Sequence, residues 1–136
     1  MHLKTLTYTS RASLSLTDAD LERIATEAQR LNALDGITGL LAFDGSRFLQ
    51  IIEGSEEAID DLLERLRNDR RHSSLEVRDE RLVEDRSFPS WSMQLVRVSA
   101  GYLSAKTEIA TSLPDSVSPA VRSLALKMSQ EMASSS

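Results

Sequence analysis

The 136-residue chain contains no cysteine, which excludes disulfides, thiolate metal sites and cysteine nucleophiles. Its two histidines, His2 and His72, are too few for a histidine metal cage, so no metal site is expected. No apolar run approaches the roughly 20 residues that cross a bilayer, and the first residues lack the apolar core of a signal peptide. A Gly-x-Gly-x-x-Gly stretch is also missing, so a Rossmann cofactor site is unsupported. We therefore expect a cytoplasmic protein without a membrane partner.

The charge balance is acidic, with 16 basic against 21 acidic residues and a net charge of −5. A nucleic-acid binder usually carries a basic stripe, so nucleic acid is not an expected partner. The length suits one compact domain.

Hydrophobic periodicity predicts five strands and two helices in the order βαββαββ. Thr17 and Asp20 form a predicted capping box at the start of the first helix, and Gly36 marks its end. The second helix is expected to open at Gly54-Ser55. The strands are expected over residues 3–9, 38–43, 47–53, 75–83 and 92–98. This order predicts an α+β, ferredoxin-like fold: a mixed five-stranded sheet with both helices on one face.

The other face of this sheet needs a cover, because Leu49 and Ile51 point there, together with Leu41 and Phe43 or their neighbours. An amphipathic helix in the C-terminal segment can supply it. Its apolar positions are Val117, Val121, Leu124, Met128 and Met132. This helix is either a lid over its own sheet or a docking surface for a partner or second subunit.

Gln50 interrupts the apolar run Phe48-Leu49-Gln50-Ile51-Ile52 of the third strand. Both faces of the strand are apolar, so the amide cannot easily reach water, and leaving it unpaired would cost roughly 1–3 kcal/mol. Gln50 is therefore either paired to a neighbouring group or faces a polar, planar ligand.

Four further polar residues break the core pattern on the helix side: Tyr8, Asn32, Arg65 and Asp69. Taken singly, Arg65 and Asp69 could form an i, i+4 surface pair, and Asn32 could be an ordinary residue at a helix end. With Gln50, they would line one cleft with apolar walls and a few convergent polar groups. Such a cleft suits a flat heterocycle such as an isoalloxazine ring, with Asn32 and Arg65 at its carbonyl and imide edge.

Five collinear segments over residues 3–98 resemble the BLUF domain, a sensor of blue light that uses FAD. The combination, in order and with matching spacing, is highly specific. The segments are Leu6 to Ser10, Asn32 with Gly36 to Leu41, Phe48 to Gly54, Asp69 to His72, and Arg86 to Met93. The resemblance implies a photosensor core over residues 1–98 and a C-terminal helical extension over residues 99–136.

The same resemblance assigns roles within the site. Tyr8 and Gln50 would be the photochemical pair, while Trp91 and Met93 on the fifth strand would relay the signal; either of the latter two could face inward. FAD would bind noncovalently, with FMN or riboflavin possible. The expected flavin-binding residues are Ile24, Asn32, Ile37, Phe48, Gln50, Arg65 and Asp69. His72 belongs to a matched segment but suits a polar loop equally well. Leu31 departs from the family, which often has a polar residue there.

The implied function is a blue-light photoreceptor without enzymatic activity. Tyr8 would donate an electron and a proton to the excited flavin, and the Gln50 amide would end with a changed hydrogen-bond pattern. Output would pass to an unidentified effector protein, and a homodimer or higher oligomer is possible. Two other functions stay open: a light-independent flavin or small-molecule binding module, and a small flavoenzyme.

Overall fold

A computed structural model describes residues 3–43, 46–85 and 94–97, together with residues 113, 119, 122, 123 and 125–127. Within residues 3–97 as described, five strands and two helices follow one another in the order β1-α1-β2-β3-α2-β4-β5. Their bounds are β1 Leu3–Ala12, α1 Asp18–Asp35, β2 Thr38–Phe43, β3 Arg47–Ser55, α2 Glu56–Arg67, β4 His72–Val83 and β5 Gln94–Arg97.

The strands form one sheet in the order β4-β1-β3-β2-β5. Strands β1 to β4 pair antiparallel, and β5 runs parallel to β2. An α+β fold with an antiparallel sheet and two helices is therefore confirmed. Three strand boundaries differ from the sequence-based ones among the described residues: β1 continues to Ala12 rather than ending at residue 9, β3 continues to Ser55 rather than ending at residue 53, and β4 begins at His72 rather than at Leu75. The extensions of β1 and β4 pair with each other, with Ala12 opposite His72, and the extension of β1 also pairs with β3.

Local sequence explains where the helices begin and end. Thr17 caps α1, its side chain accepting from the Asp20 N–H while the Asp20 carboxylate accepts from the Thr17 N–H. Gly36 ends α1 in the left-handed conformation, with φ of 70°, which a residue without a Cβ adopts at little cost. The Ser55 side chain caps α2 by accepting from the Ala58 N–H.

Both helices pack on the same face of the sheet. One buried cluster joins α1, α2 and three strands: Leu6, Leu21, Ile37, Leu41, Phe48, Ile52 and Ile59. Strand alternation then places Leu40, Ala42, Leu49 and Ile51 on the opposite face, and each of them is fully buried. The residues of β2 that face away from the helices are thus Leu40 and Ala42, not Leu41 and Phe43.

The cover of that second face stays a prediction. Leu113 and Ala125 are buried, and residues 119, 122, 123 and 125–127 are helical. The rest of the segment from 98 to 136 lies outside the described residues, as do Trp91 and Met93. The division into 1–98 and 99–136 likewise stays a prediction.

Candidate functional site

A cavity of about 180 Å³ lies between α1, α2 and the helix side of the sheet. Its walls are mostly aliphatic side chains from both helices, with Leu41 and Phe48 from the sheet. Polar groups enter from three directions. The lining residues are Tyr8, Ile24, Glu27, Ala28, Leu31, Asn32, Leu41, Phe48, Gln50, Leu62, Arg65, Leu66, Asp69, Arg71 and His72. The structure thus brings together six of the seven residues expected to bind a flavin, and Tyr8.

Ile37 is the expected flavin-binding residue that does not line this cavity. It lies in the buried cluster beneath, with 1% of its surface exposed. Its backbone N–H donates to the Asn32 carbonyl at 2.8 Å, so it supports a cavity residue from behind.

Tyr8 and Gln50 meet at the inner end of the cavity. They are direct cross-strand partners on β1 and β3, and the Tyr8 hydroxyl donates to Gln50 Oε1. Both are buried, with 2% and 4% of their surfaces exposed. Burial, aided by the negative charge of Asp69, raises the pKa of Tyr8 well above its ordinary value. Tyr8 is therefore a neutral hydrogen-bond donor, and it is the polar partner expected for Gln50 inside the core.

Asn32 occupies the last turn of α1 and is 1% exposed. Its carbonyl accepts from the N–H groups of Gly36 and Ile37, so the helix end fixes its backbone. The side-chain carboxamide of Asn32 has both donors and an acceptor that it can offer to the polar edge of a ring.

Charged residues surround the outer end of the cavity, and their pairing differs from the i, i+4 surface pair of Arg65 with Asp69 that the sequence left open. Arg65 pairs with Asp35, at the end of α1, rather than with Asp69: Arg65 Nη2 lies 3.5 Å from Asp35 Oδ2. Asp69 instead accepts from Arg71, whose Nη2 lies 2.7 Å from Asp69 Oδ2. The reason is that α2 ends at Arg67, so Asp69 lies beyond the helix and loses the helical spacing to Arg65. We call Glu27, Asp35, Arg65, Asp69 and Arg71 the rim.

Arg71 organises one side of the rim. Its Nε and Nη2 both bind the Asp69 carboxylate, while its Nη1 reaches Glu27 on α1 at 3.0 Å. The Arg71 hydrogen bonds hold the pKa of Asp69 below its usual range. Hydrogen bonds to Asp69, and to Glu27, in turn raise the pKa of Arg71. Asp69 and Arg71 therefore keep their charges at neutral pH.

His72 begins β4 and is not a polar loop residue. Its Nε2 lies 2.7 Å from the Leu66 carbonyl and its Nδ1 lies 2.8 Å from Ser10 Oγ. The ring contacts Phe48 edge-on, with centroids 6.3 Å apart. It thus joins α2, β1 and β4 beside the cavity.

Sequence reasoning missed Glu27 and Arg71. Arg71 belongs to the segment Asp69 to His72, which carried the resemblance, but nothing in its spacing shows that it would bind Asp69. Glu27 lies four residues before Leu31 and next to Ala28, so its place beside the apolar stripe of α1 was the available signal.

Comparison with known proteins identifies the family. Residues 3–94 match the family model described as BLUF, sensors of blue-light using FAD. This match covers more than half of the chain. The protein belongs to the BLUF family.

Relatives and solved structures agree with this assignment. The photoactivated adenylate cyclase subunit beta of Euglena gracilis is 36% identical over 92 residues, 67% of this chain and 11% of that protein. The dark-state structure of the BLUF protein BlrB superposes with a TM-score of 0.71 and 30% identity, covering 99% of this chain and 98% of that one. Klebsiella pneumoniae BlrP1 with FMN and cyclic diGMP gives a TM-score of 0.77 at 27% identity, covering 98% and 35%.

The predicted function, a BLUF photoreceptor that senses blue light through a flavin, is thereby confirmed. The chain spans about a tenth of the length of the cyclase subunits that it matches, so their catalytic activity belongs to those proteins. Among the residues that the structure describes, no helix is long and apolar enough to cross a membrane.

Proposed function

We propose that this BLUF protein binds FAD noncovalently in the cavity and signals through a light-driven change in the Tyr8–Gln50 hydrogen bond. One observation carries the proposal: the buried Tyr8 hydroxyl donates to a carboxamide that lines the same cavity. A hydrogen bond between two neutral groups can rearrange without separating charge in a low-dielectric interior. It is therefore suited to act as a local switch.

The cavity residues fit an isoalloxazine ring. Ile24 and Leu62 supply aliphatic surface from the two helices, and Phe48 supplies it from the sheet. Asn32 can pair with the carbonyl and imide edge of the ring, and Arg65 can approach that edge from α2. A bound flavin would supply an excited state that is a strong oxidant.

The chain's own residues then direct the proton. Tyr8 is kept protonated by burial, so it holds its proton at the phenolic oxygen until it is oxidised. Gln50 accepts that hydrogen bond through Oε1, which places its N–H donors at the other end of the amide. A reversal or tautomerisation of this amide would change the hydrogen bond offered to the flavin carbonyl, and a new donor there would shift absorption slightly to the red.

Several finer features belong to the same proposal. The sheet is ferredoxin-like with one extra strand, β5, which leads from Trp91 and Met93 into the C-terminal segment. A sensor without enzymatic activity of its own belongs to the same proposal, because the Tyr8–Gln50 hydrogen bond gives the cavity a neutral, buried switch. The signal would pass to an unidentified effector protein. The BLUF protein itself would act as a monomer, a homodimer or a higher oligomer. FMN or riboflavin could replace FAD, and a cytoplasmic location stays a prediction.

The test is an absorption spectrum of the purified, FAD-reconstituted protein before and after blue light. We expect a yellow protein, a reversible red shift of a few nanometres, and release of the flavin on heat denaturation. Tyr8→Phe and Gln50→Leu are near-isosteric and should keep the flavin but lose the shift. A colourless protein that FAD does not reconstitute would refute flavin binding, and an unchanged shift in Gln50→Leu would remove Gln50 from the mechanism.

A further inference from the structure

The backbone pairing of β1 with β4 is irregular beside the photochemical tyrosine. Thr9 pairs with Glu76 and Arg11 with Ser73, so Ser10 lies opposite two residues, Ser74 and Leu75. Ser74 has a φ of 54°, in the left-handed region. Bulges of this kind interrupt the ladder and redirect side chains, and they are frequent next to functional sites.

A second irregularity lies on the other side of the same segment. Thr7 pairs with Asp79 and Tyr8 with Val77, which leaves Arg78 as the extra residue of β4. The pairing with β4 therefore shifts on both sides of the segment from Tyr8 to Ser10. The irregular pairing with β4 therefore holds this segment of β1 less firmly than the regular pairing with β3 on its other side.

His72 supplies a side-chain link where the ladder is interrupted. A carbonyl oxygen can only accept, so the contact with Leu66 assigns a proton to His72 Nε2. In the neutral ring Nδ1 then accepts from the hydroxyl of Ser10, which is 3% exposed. We call Ser10, His72 and Leu66 the His72 bridge.

The two ends of the bridge lead to different parts of the site. Ser10 is two residues after Tyr8 and shares its strand face. Leu66 lies in the last turn of α2, directly before the turn that carries Asp69 and Arg71. The imidazole itself lies between these ends, with its centroid 6.4 Å from that of the Tyr8 ring.

We propose that His72 is a positioning residue with two separable roles. Its bond to Ser10 sets the position of Tyr8, and hence the dark-recovery rate. Its bond to Leu66 sets the position of Asp69 and Arg71, and hence flavin affinity. The inference rests on the proposed function, and it concerns positioning because the contacts of His72 are with Ser10 and Leu66 rather than with the Tyr8 hydroxyl or Gln50.

Two amide substitutions separate the two bonds. In His72→Asn the short amide lies at the place of Nδ1 and can keep the bond to Ser10, but it cannot reach Leu66. In His72→Gln the longer amide reaches the place of Nε2 and can donate to Leu66, but it leaves Ser10 without its partner. Ser10→Ala removes the same bond as His72→Gln from the opposite side, and Ser73→Ala, at an exposed neighbouring position of β4, is the control.

Three measurements on the FAD-reconstituted full chain distinguish the roles: the flavin dissociation constant, the dark-recovery rate, and the NMR resonance of the Tyr8 hydroxyl proton in the dark. His72→Asn should raise the dissociation constant about 2- to 10-fold, the worth of one hydrogen bond, and leave recovery within about 2-fold. His72→Gln should leave the flavin dissociation constant near its wild-type value, change the dark-recovery rate and shift the Tyr8 resonance. Ser10→Ala should match His72→Gln, and the double variant should change recovery no further.

If His72→Asn and His72→Gln had equal effects on flavin affinity and on dark recovery, the two-role proposal would be overturned and His72 would be a structural residue. Additive effects of Ser10→Ala and His72→Gln would also overturn it. If His72→Gln does not fold, Ser10→Ala alone decides the Tyr8 role. Failure of the proposed function looks different: wild type would show no red shift, while the Tyr8 resonance and the flavin dissociation constant would still report the two roles.

Discussion

Different kinds of interaction hold the residues in place at the two ends of the cavity. At the inner end, formed by Tyr8, Phe48 and Gln50, every residue is at most 4% exposed and the polar contact joins two neutral groups. At the rim, the contacts are ion pairs, and the Arg65 and Arg71 side chains are 47% and 39% exposed. Burial strengthens the interactions at the inner end, whereas water and salt screen those at the rim.

This difference assigns different tasks to the two ends. A neutral, desolvated hydrogen bond keeps one arrangement until chemistry changes it, which suits a photochemical switch. Screened ion pairs open at little cost, which suits an entrance for the flavin that we propose to bind in the cavity. We therefore expect substitutions at the inner end to have large effects on stability or light response, and those at the rim to have small, salt-dependent effects.

The largest expected effect is on stability, from Phe48→Ala. Phe48 is 4% exposed, belongs to the buried cluster and stacks against Phe43 with ring centroids 4.8 Å apart. Its truncation should lower the free energy of unfolding by about 3–5 kcal/mol. Urea unfolding of the apo protein measures this change. Arg65→Ala, at the rim, should stay within about 1 kcal/mol of wild type, and equal losses would contradict the comparison.

The next effect is on flavin affinity, from Asn32→Ala. Removal of this buried carboxamide should leave a polar edge of the ring unpaired, at a cost of about 1–3 kcal/mol, which is roughly a 5- to 150-fold rise in the dissociation constant. Titration of FAD into apo protein measures it. Asn68→Ala is a matched control, since Asn68 follows the last turn of α2 but is exposed. Equal affinity in wild type and Asn32→Ala would refute the assigned role of Asn32.

Much of the fold follows from local patterns in the sequence. The capping box at Thr17, the left-handed end at Gly36 and the alternation in β3 are short-range signals, and each agrees with the structure. The beginning of β4 at His72 was missed because no local periodicity marks it. It depends on pairing with the end of β1, a contact between residues 60 apart in sequence, Ala12 and His72.

The candidate site divides in the same way. A polar partner or ligand for Gln50 could be anticipated, because a buried amide in an apolar strand needs one, and the family resemblance then paired it with Tyr8. The rim could not be, because its ion pairs join the end of α1, the end of α2 and the following turn. Helical spacing left an i, i+4 pair of Arg65 with Asp69 open as one interpretation, since nothing in the pattern shows that the helix stops at Arg67.

An alkaline titration of wild type and Tyr8→Phe in parallel tests the inner end. Burial raises the pKa of Tyr8 above the ordinary tyrosine value of 10.0. A group with a raised folded-state pKa contributes stability that is fully present below its unfolded pKa and is lost as pH rises toward its folded pKa. Stability should therefore fall above about pH 10 by up to roughly 1.4 kcal/mol per pH unit from this group. Tyr8→Phe should lack this component, and identical pH profiles would show that Tyr8 ionises freely in the folded protein.

The smallest expected effect is at the rim, from Arg71→Gln. Partly exposed ion pairs contribute about 0–1 kcal/mol, so the loss of unfolding free energy should lie in that range and shrink as salt is added. Arg81→Gln is a matched control, because Arg81 also binds an aspartate two residues away and its side chain is also 39% exposed, but it does not line the cavity. The two variants should lose similar stability, while only Arg71→Gln should change the flavin dissociation constant.

The stability of the same variant at acid pH tests the direction of the Asp69 pKa shift. Arg71 lowers the pKa of Asp69, so the pair contributes stability that is present above the ordinary aspartate pKa of 3.8 and is lost as pH falls through the lowered value. Arg71→Gln should return the Asp69 pKa toward 3.8, and the difference in stability between variant and wild type should vanish in strong acid. Unfolding measured from pH 7 down to about pH 1 checks this. A difference that persists undiminished in strong acid would mean that Arg71 acts at the rim by packing rather than by charge.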